Sequence, residues 1–270
     1  MIVKVHFLGT AAFEGIPSLF CRCELCAKAK QLGGKNIRTR SSVIIDDELK
    51  IDFPPDTYLH MLRDGIDLEN IKDLILTHSH SDHLYAKDLA ARLPGYARPA
   101  EHCIGIYGND LTIRKCFRAL GDGKGKFRLH RVEPFQRTET ETATIVPLPA
   151  NHDPRETCLI YYIEKNGKTI LYGHDSGWFP DRTWEWLHGK KLDLAILECT
   201  SGHLPATTHM NVDAVLRTKE RFHDLGLMKP DGIIVVTHFS HNAHLLHEDL
   251  TELFAPHDII VAYDGMVLHI

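Results

Sequence analysis

The sequence predicts an α/β sandwich in which helices lie outside two sheets. Two observations carry this. Short apolar, β-branched runs recur along the whole chain, and helical patterns lie between them. No Pro/Ser/Gly-rich linker divides the 270 residues, so a single domain over 1–270 is the economical organisation. A hydrophobic content of 43% with 25% charged residues is the ordinary balance of a globular protein able to bury a full-sized core.

In chain order, strands are expected at 3–8, 42–45, 49–52, 74–77 and 104–107. The second half repeats the habit at 144–148, 159–163, 169–172, 194–198, 233–237, 259–262 and 266–270. Helices are expected at about 85–93, 110–120, 181–188, 211–225 and 245–253, with Asn211 or a neighbour capping the fourth. Turn chemistry joins several strands as hairpins: Asp46-Asp47-Glu48, Lys165-Asn166-Gly167-Lys168, and Asp264-Gly265 in the last pair. GDGKGK at 121–126 reads as a surface turn.

Composition excludes some functions. A net charge of −5 offers no basic footprint, so nucleic acid is not an expected partner. No apolar run reaches 18 residues, so no membrane span is expected, and MIVKVHFLGTA reads as a first strand rather than a signal peptide. Three of the seven cysteines fall within six residues. That pattern suits a reduced, cytoplasmic protein using thiolates for metal better than a disulfide framework.

The densest chemistry is THSHSDH at 77–83, directly after the apolar run Leu74-Ile75-Leu76. His78, His80, Asp82 and His83 follow one strand, His152 another, Asp175 a third and His238 a fourth. Loops at one edge of a sheet can converge on one site. Five imidazoles and two carboxylates are enough for two metal ions if one carboxylate bridges, and such donors suit Zn, Mn or Fe. The H-x-H-x-D-H spacing belongs to a strand–helix turn rather than to one face of a helix, where ligands stand four apart.

These residues resemble the metallo-β-lactamase superfamily over nearly the whole chain. The resemblance implies an αββα four-layer sandwich with a dinuclear centre between the sheets. It implies one metal on His78, His80 and His152, a second on Asp82, His83 and His238, and Asp175 as the bridge. Asp52, in KIDFPP, matches the family's early strand-end aspartate, which orients the site. Pro54 and Pro55 follow it where a small residue such as glycine is usual.

Cys21, Cys23 and Cys26 supply three thiolates in C-x-C-x-x-C, and a structural zinc wants four S or N ligands. A remote His or Cys must complete the set. His241 is attractive, because the loop carrying His238 could then serve both centres. Cys103, Cys116, Cys158 and Cys199 each stand alone near apolar residues and read as core.

GTAAFEGIPSLFCRCELCAKA, with THFSH near the C-terminus, is similar to the PhnP-type phosphodiesterase branch of that superfamily. This implies zinc on Cys21, Cys23, Cys26 and His241, and His209 at the branch's general-acid position. The implied activity is hydrolysis of a small cyclic phosphate or nucleotide-like diester, with a water shared by two Mn or Zn ions attacking phosphorus. His209, Asp82 and Asp52 are the candidates for catalytic roles beside the ligands. Homodimerisation is implied by the resemblance alone. Other hydrolases of the same scaffold, acting on a lactam, thioester or RNA, are the alternative, as is a non-catalytic, metal-bearing carrier of the PqqB type. The loops near 53–62, 95–102 and 178–209 are expected to shape the pocket, whereas Trp178, Phe179, Trp184 and Trp186 read as packing.

Overall fold

The computed structural model describes residues 1–98 and 101–270. The first half contributes β1 (Lys4–Gly9), β2 (Ser42–Ile45), β3 (Leu49–Ile51), β4 (Asp73–Ile75), β5 (Ile104–Gly108) and β6 (Phe127–Arg131). The second half contributes β7 (Thr138–Glu139), β8 (Thr144–Pro149), β9 (Leu159–Lys165), β10 (Lys168–Gly173), β11 (Leu192–Glu198), β12 (Met228–Thr237), β13 (Ile259–Val261) and β14 (Met266–His269). The helices are α1 (Glu24–Leu32), α2 (Thr57–Asp64), α3 (Ala86–Leu89), α4 (Asp110–Leu120), α5 (Asp181–Leu187), α6 (Val212–Asp224) and α7 (His247–Phe254). One sheet runs β14-β1-β2-β3-β4-β5-β6 and the other β13-β12-β11-β10-β9-β8-β7.

Central strands are apolar on both faces, and period-two alternation sorts the faces. Val43 and Ile45 point between the sheets, with Leu194, Ile196 and Val235 from the facing sheet. Ile44, between them, packs outward with Leu74, Ile106 and Cys116 of α4. Ala195, Leu197 and Val236 face the other way, onto α5, α6 and α7 through Trp184, Phe222 and Phe254. The layers are therefore helix, sheet, sheet, helix, as expected.

Local signals account for several element ends. Asn109 and Asn211 cap α4 and α6, accepting from Thr112 N and Ala214 N, each at 2.9 Å. Asp46 and Asp47 both sit in the left-handed region, as do Asn166 and Gly167, so two of the expected hairpins form. The third does not. Asp264-Gly265 carries the chain from β13, which pairs with β12, to β14, which pairs with β1 in the other sheet. The turn residues were correct, but the strands they join share no ladder. Asp264 is buried instead and accepts from Thr10 Oγ1 (2.7 Å), Thr39 N (2.7 Å) and Arg63 Nη1 (2.9 Å). GDGKGK is the turn from α4 into β6. Among the described residues no helix is long and apolar enough to cross a membrane.

Candidate metal centre and active site

The expected site residues follow the C-terminal ends of strands from both sheets. Asp52 follows β3, residues 77–83 follow β4, His152 follows β8, Asp175 follows β10 and His238 follows β12. Asp52, Asp175 and His238 all have positive φ, at 60°, 55° and 57°. A non-glycine residue held there costs on the order of 1 kcal/mol or more, and such strain gathers where side chains must be aimed. The two prolines after Asp52 do not disrupt this. Phe53 N donates to His83 O and Tyr85 N to Phe53 O, both at 2.7 Å, which pins the loop to the histidine turn.

Two donor groups share Asp175: His78, His80, His152 and Asp175, then Asp82, His83, Asp175 and His238; further groups overlap the second, among them His83, His174 and His238, and Glu198, His209 and His238. Asp175 Oδ2 lies 3.3 Å from His78 Nε2, 3.6 Å from His152 Nε2 and 3.0 Å from His83 Nε2. His152 Nε2 stands 3.2 Å from His80 Nδ1, and Asp82 Oδ2 stands 3.2 Å from His83 Nε2 and 3.8 Å from His238 Nε2. The grouping is the one the resemblance implies.

The chemistry of these donors fits divalent cations. His78 Nε2, His83 Nε2 and His238 Nε2 are buried without a well-directed hydrogen bond, which is costly unless an ion satisfies them. Burial, reinforced by the charge of His83, drives His78 well below its ordinary pKa, leaving a neutral donor. Burial works against the charge on Asp175, but His238, His209 and His83 outweigh it and hold the carboxyl well below the usual range.

An outer layer orients the rings. Asp52 accepts from Thr77 N (2.8 Å), Thr77 Oγ1 (2.8 Å) and His83 Nδ1 (2.7 Å), so it positions His83 and the turn without entering the cleft. Thr77 Oγ1 meets His78 Nδ1 at 3.0 Å and Thr200 Oγ1 meets His238 Nδ1 at 2.7 Å. Asp153 Oδ2 holds His80 Nε2 at 2.9 Å. Each contact leaves the opposite ring nitrogen free for the centre. Glu198 Oε1 lies 2.8 Å from His209 Nδ1, and Asp175 Oδ1 lies 3.1 Å from the same atom. Burial alone would lower the His209 pKa, but Asp175 and Glu198 push it up to about 11. His209 lies before the cap Asn211 and lines the cleft, so it is not spent on capping α6.

Sequence reasoning missed Asp153, Glu198, Thr200 and the buried His174. Glu198 ends a strand, as the ligands' positions do, and Asp153 adjoins His152. Strand-end placement was thus the available signal.

The centre opens into a cleft of about 450 Å³. Its walls are partly unexpected. Phe13 and Glu14 come from the N-terminal loop and Ser240 and Asn242 from the loop after β12, while Thr200 and His209 come from the expected 178–209 stretch. The 53–62 stretch does not line it: its later residues form α2, and Phe53 and Met61 line a separate cavity. Within 95–102, residues 99–100 lie outside the described residues. Trp184 packs on Trp178, Phe179 and Phe222, and Trp186 on Tyr162, which is the expected core role.

The cysteine cluster closes as a second centre. His241 Nδ1 lies 3.6 Å from Cys21 Sγ and 3.5 Å from Cys23 Sγ, and Cys26 joins the group. Zinc bonds of about 2.3 Å to sulfur and about 2.1 Å to nitrogen set a tetrahedral S···N edge of about 3.6 Å, which these separations match. The Cys26 backbone N–H, helped by His241 and Cys21, draws the Cys23 thiol down to about 6, while burial pushes the Cys26 thiol up to about 12. Cys116, Cys158 and Cys199 are buried apart from it as expected, whereas Cys103, just before β5, is only partly buried.

Two face-to-face sheets with a histidine–carboxylate centre at their strand ends define the metallo-β-lactamase class of hydrolase scaffold. The sequence profile of the Beta-lactamase superfamily domain matches residues 54–239, and the chain belongs to that superfamily. A new diphosphatase from the PhnP family is 26% identical, with a TM-score of 0.78 over 100% of this chain and 98% of that one. YhfI from Bacillus subtilis, a metallo-β-lactamase fold protein, is 21% identical with a TM-score of 0.70 over 100% of both chains. Zn²⁺-bound PqqB from Methylobacterium extorquens is 18% identical with a TM-score of 0.71, over 98% of this chain and 99% of that one. The last two share the fold. No curated protein matches the chain.

Proposed function

We propose that the chain is a dinuclear metal-dependent phosphodiesterase acting on a small cyclic phosphate or nucleotide-like diester, with a structural zinc on Cys21, Cys23, Cys26 and His241. The observation that carries the reading is the pair of donor groups sharing Asp175, with His209, 2.8 Å from Glu198, on the wall of the same cleft. The similarity to a PhnP-family diphosphatase supports phosphoester chemistry. His78, His80 and His152 would hold one ion, Asp82, His83 and His238 the other, and Asp175 both. Bound there, the ions supply Lewis acidity for phosphoryl oxygens and an activated water at neutral pH.

The chain's own residues do the rest. Asp52, Asp153, Thr77 and Thr200 fix the imidazoles, so little reorganisation is needed when substrate binds. Glu198 holds Nδ1 of His209, leaving Nε2 to carry the proton that a departing alkoxide takes. No side-chain nucleophile is required.

Hydrolysis of bis-p-nitrophenyl phosphate beside p-nitrophenyl phosphate, with added Mn²⁺ and with chelator, tests the reading. Metal-dependent diester turnover exceeding monoester turnover is expected. Metal-loaded protein that cleaves neither ester would contradict it.

A further inference from the structure

On the reading that a phosphoester is cut at the paired donor groups, we propose that the turn at 12–15 recognises the ester's organic group, with Phe13 as a stacking platform for a nucleobase. Phe13 lines the cleft with Asp175 and His209, yet is 60% exposed. A lone exposed phenylalanine is ordinary on a protein surface. This one is held out by a pinned backbone. Gly15 N donates to Ala12 O at 3.0 Å, which makes Phe13 and Glu14 the corner residues of a tight turn, and Gly15 takes the positive φ of 72° that the turn requires.

The turn is fastened on three sides. Ala12 N donates to Phe239 O at 3.0 Å, and Arg40 Nε donates to Phe13 O at 2.8 Å while its Nη1 pairs with Asp56 at 3.1 Å. Ser240 Oγ donates to the Glu14 carboxylate. The backbone that carries the ring is therefore fixed, and an aromatic partner that stacks on it has only the two side-chain torsions of Phe13 left to order.

The neighbours narrow the partner. Glu14 places a carboxylate on the same wall, where a second phosphate would meet like charge. Asn242 adds an exposed amide that can donate and accept. A flat, neutral group bearing hydroxyl or amine donors suits this wall. A nucleoside has all three properties, and a base-free sugar phosphate lacks the flat face.

Calorimetric binding of AMP and of ribose 5-phosphate to Mn²⁺-loaded protein reads the wall without turnover. The wild type should bind AMP about tenfold more tightly than ribose 5-phosphate. Phe13→Ala should remove that gap, leave ribose 5-phosphate binding and melting temperature unchanged, and be rescued by Phe13→Tyr. Equal affinity of the wild type for the two ligands, or a gap that survives in Phe13→Ala, overturns the proposal. Diester turnover measured on the same samples reports the hydrolase reading separately.

Discussion

Lys50 is an ammonium group deep in apolar surroundings. It is fully buried on the outer face of the first sheet and lines a cavity of about 260 Å³ with Phe53, Leu74 and Ile104. Its Nζ donates to Ser42 Oγ. Burial pulls its pKa down from 10.5 to about 7, against the pull of Asp52. The sign follows from linkage. Between pH 7 and 10.5 the unfolded chain binds a proton that the folded chain has released, so stability rises with pH across that window. The penalty is fully present below pH 7 and gone above 10.5. Lys50→Met should therefore stabilise the protein at pH 6.5 by up to a few kcal/mol, at about 1.4 kcal/mol per pH unit of the window, and by little at pH 10. Ser42 Oγ keeps its bond to Ile51 O at 2.8 Å, so the variant leaves no new orphan. Denaturant unfolding of both proteins across this range checks the prediction. A difference independent of pH would show that Lys50 is charged throughout.

Among elements, α1 couples a helix to the cysteine centre. Cys23 is its N-cap and accepts from Cys26 N at 3.4 Å. Serine caps helices well, so Cys23→Ser preserves the cap while removing a thiolate. We expect it to lose about one zinc per chain and to lower Tm on the order of 5–10 °C. Elemental analysis with thermal melts checks this, and unchanged zinc and Tm would count against a metal there. The helix itself was not legible. Cysteines dominated the reading of 21–26, and only Leu25, Cys26 and Ala29 of α1 are buried. Similarly, α2 follows two prolines, buries only Thr57 and His60 and leaves Tyr58, Leu59 and Leu62 exposed, so its apolar residues do not mark its inner face. β6 is an edge strand, FRLHR, with only Phe127 buried. Strands apolar on both faces, such as β11 and β9, were legible because burial on two sides leaves an uninterrupted apolar run. The residues of the two donor groups that share Asp175 were legible because their types are dense and follow strand ends. Asp153, Glu198 and Thr200 were not, since their role depends on which ring nitrogen they meet in space.

At the scale of the molecule, the centre exists only when the sheets are docked. The first sheet brings Asp52 and residues 77–83, and the second brings His152, Asp175, Glu198 and His238. Asp175 Oδ2 crosses the divide to His78 and His83. The cleft walls come from even farther apart, since residues 12–14 and 240–242 lie near opposite ends of the chain. They meet through the bridge between Ala11 and Phe239, and no local motif announces that pairing. This is why the donors could be read from sequence and the pocket could not.

The most direct test of the paired centre is the metal-to-chain ratio of the wild type beside Asp175→Ala. The shared carboxylate predicts about three ions per wild-type chain, and about one, the cysteine-bound zinc, once Asp175 is gone. A ratio unchanged by Asp175→Ala would contradict the account.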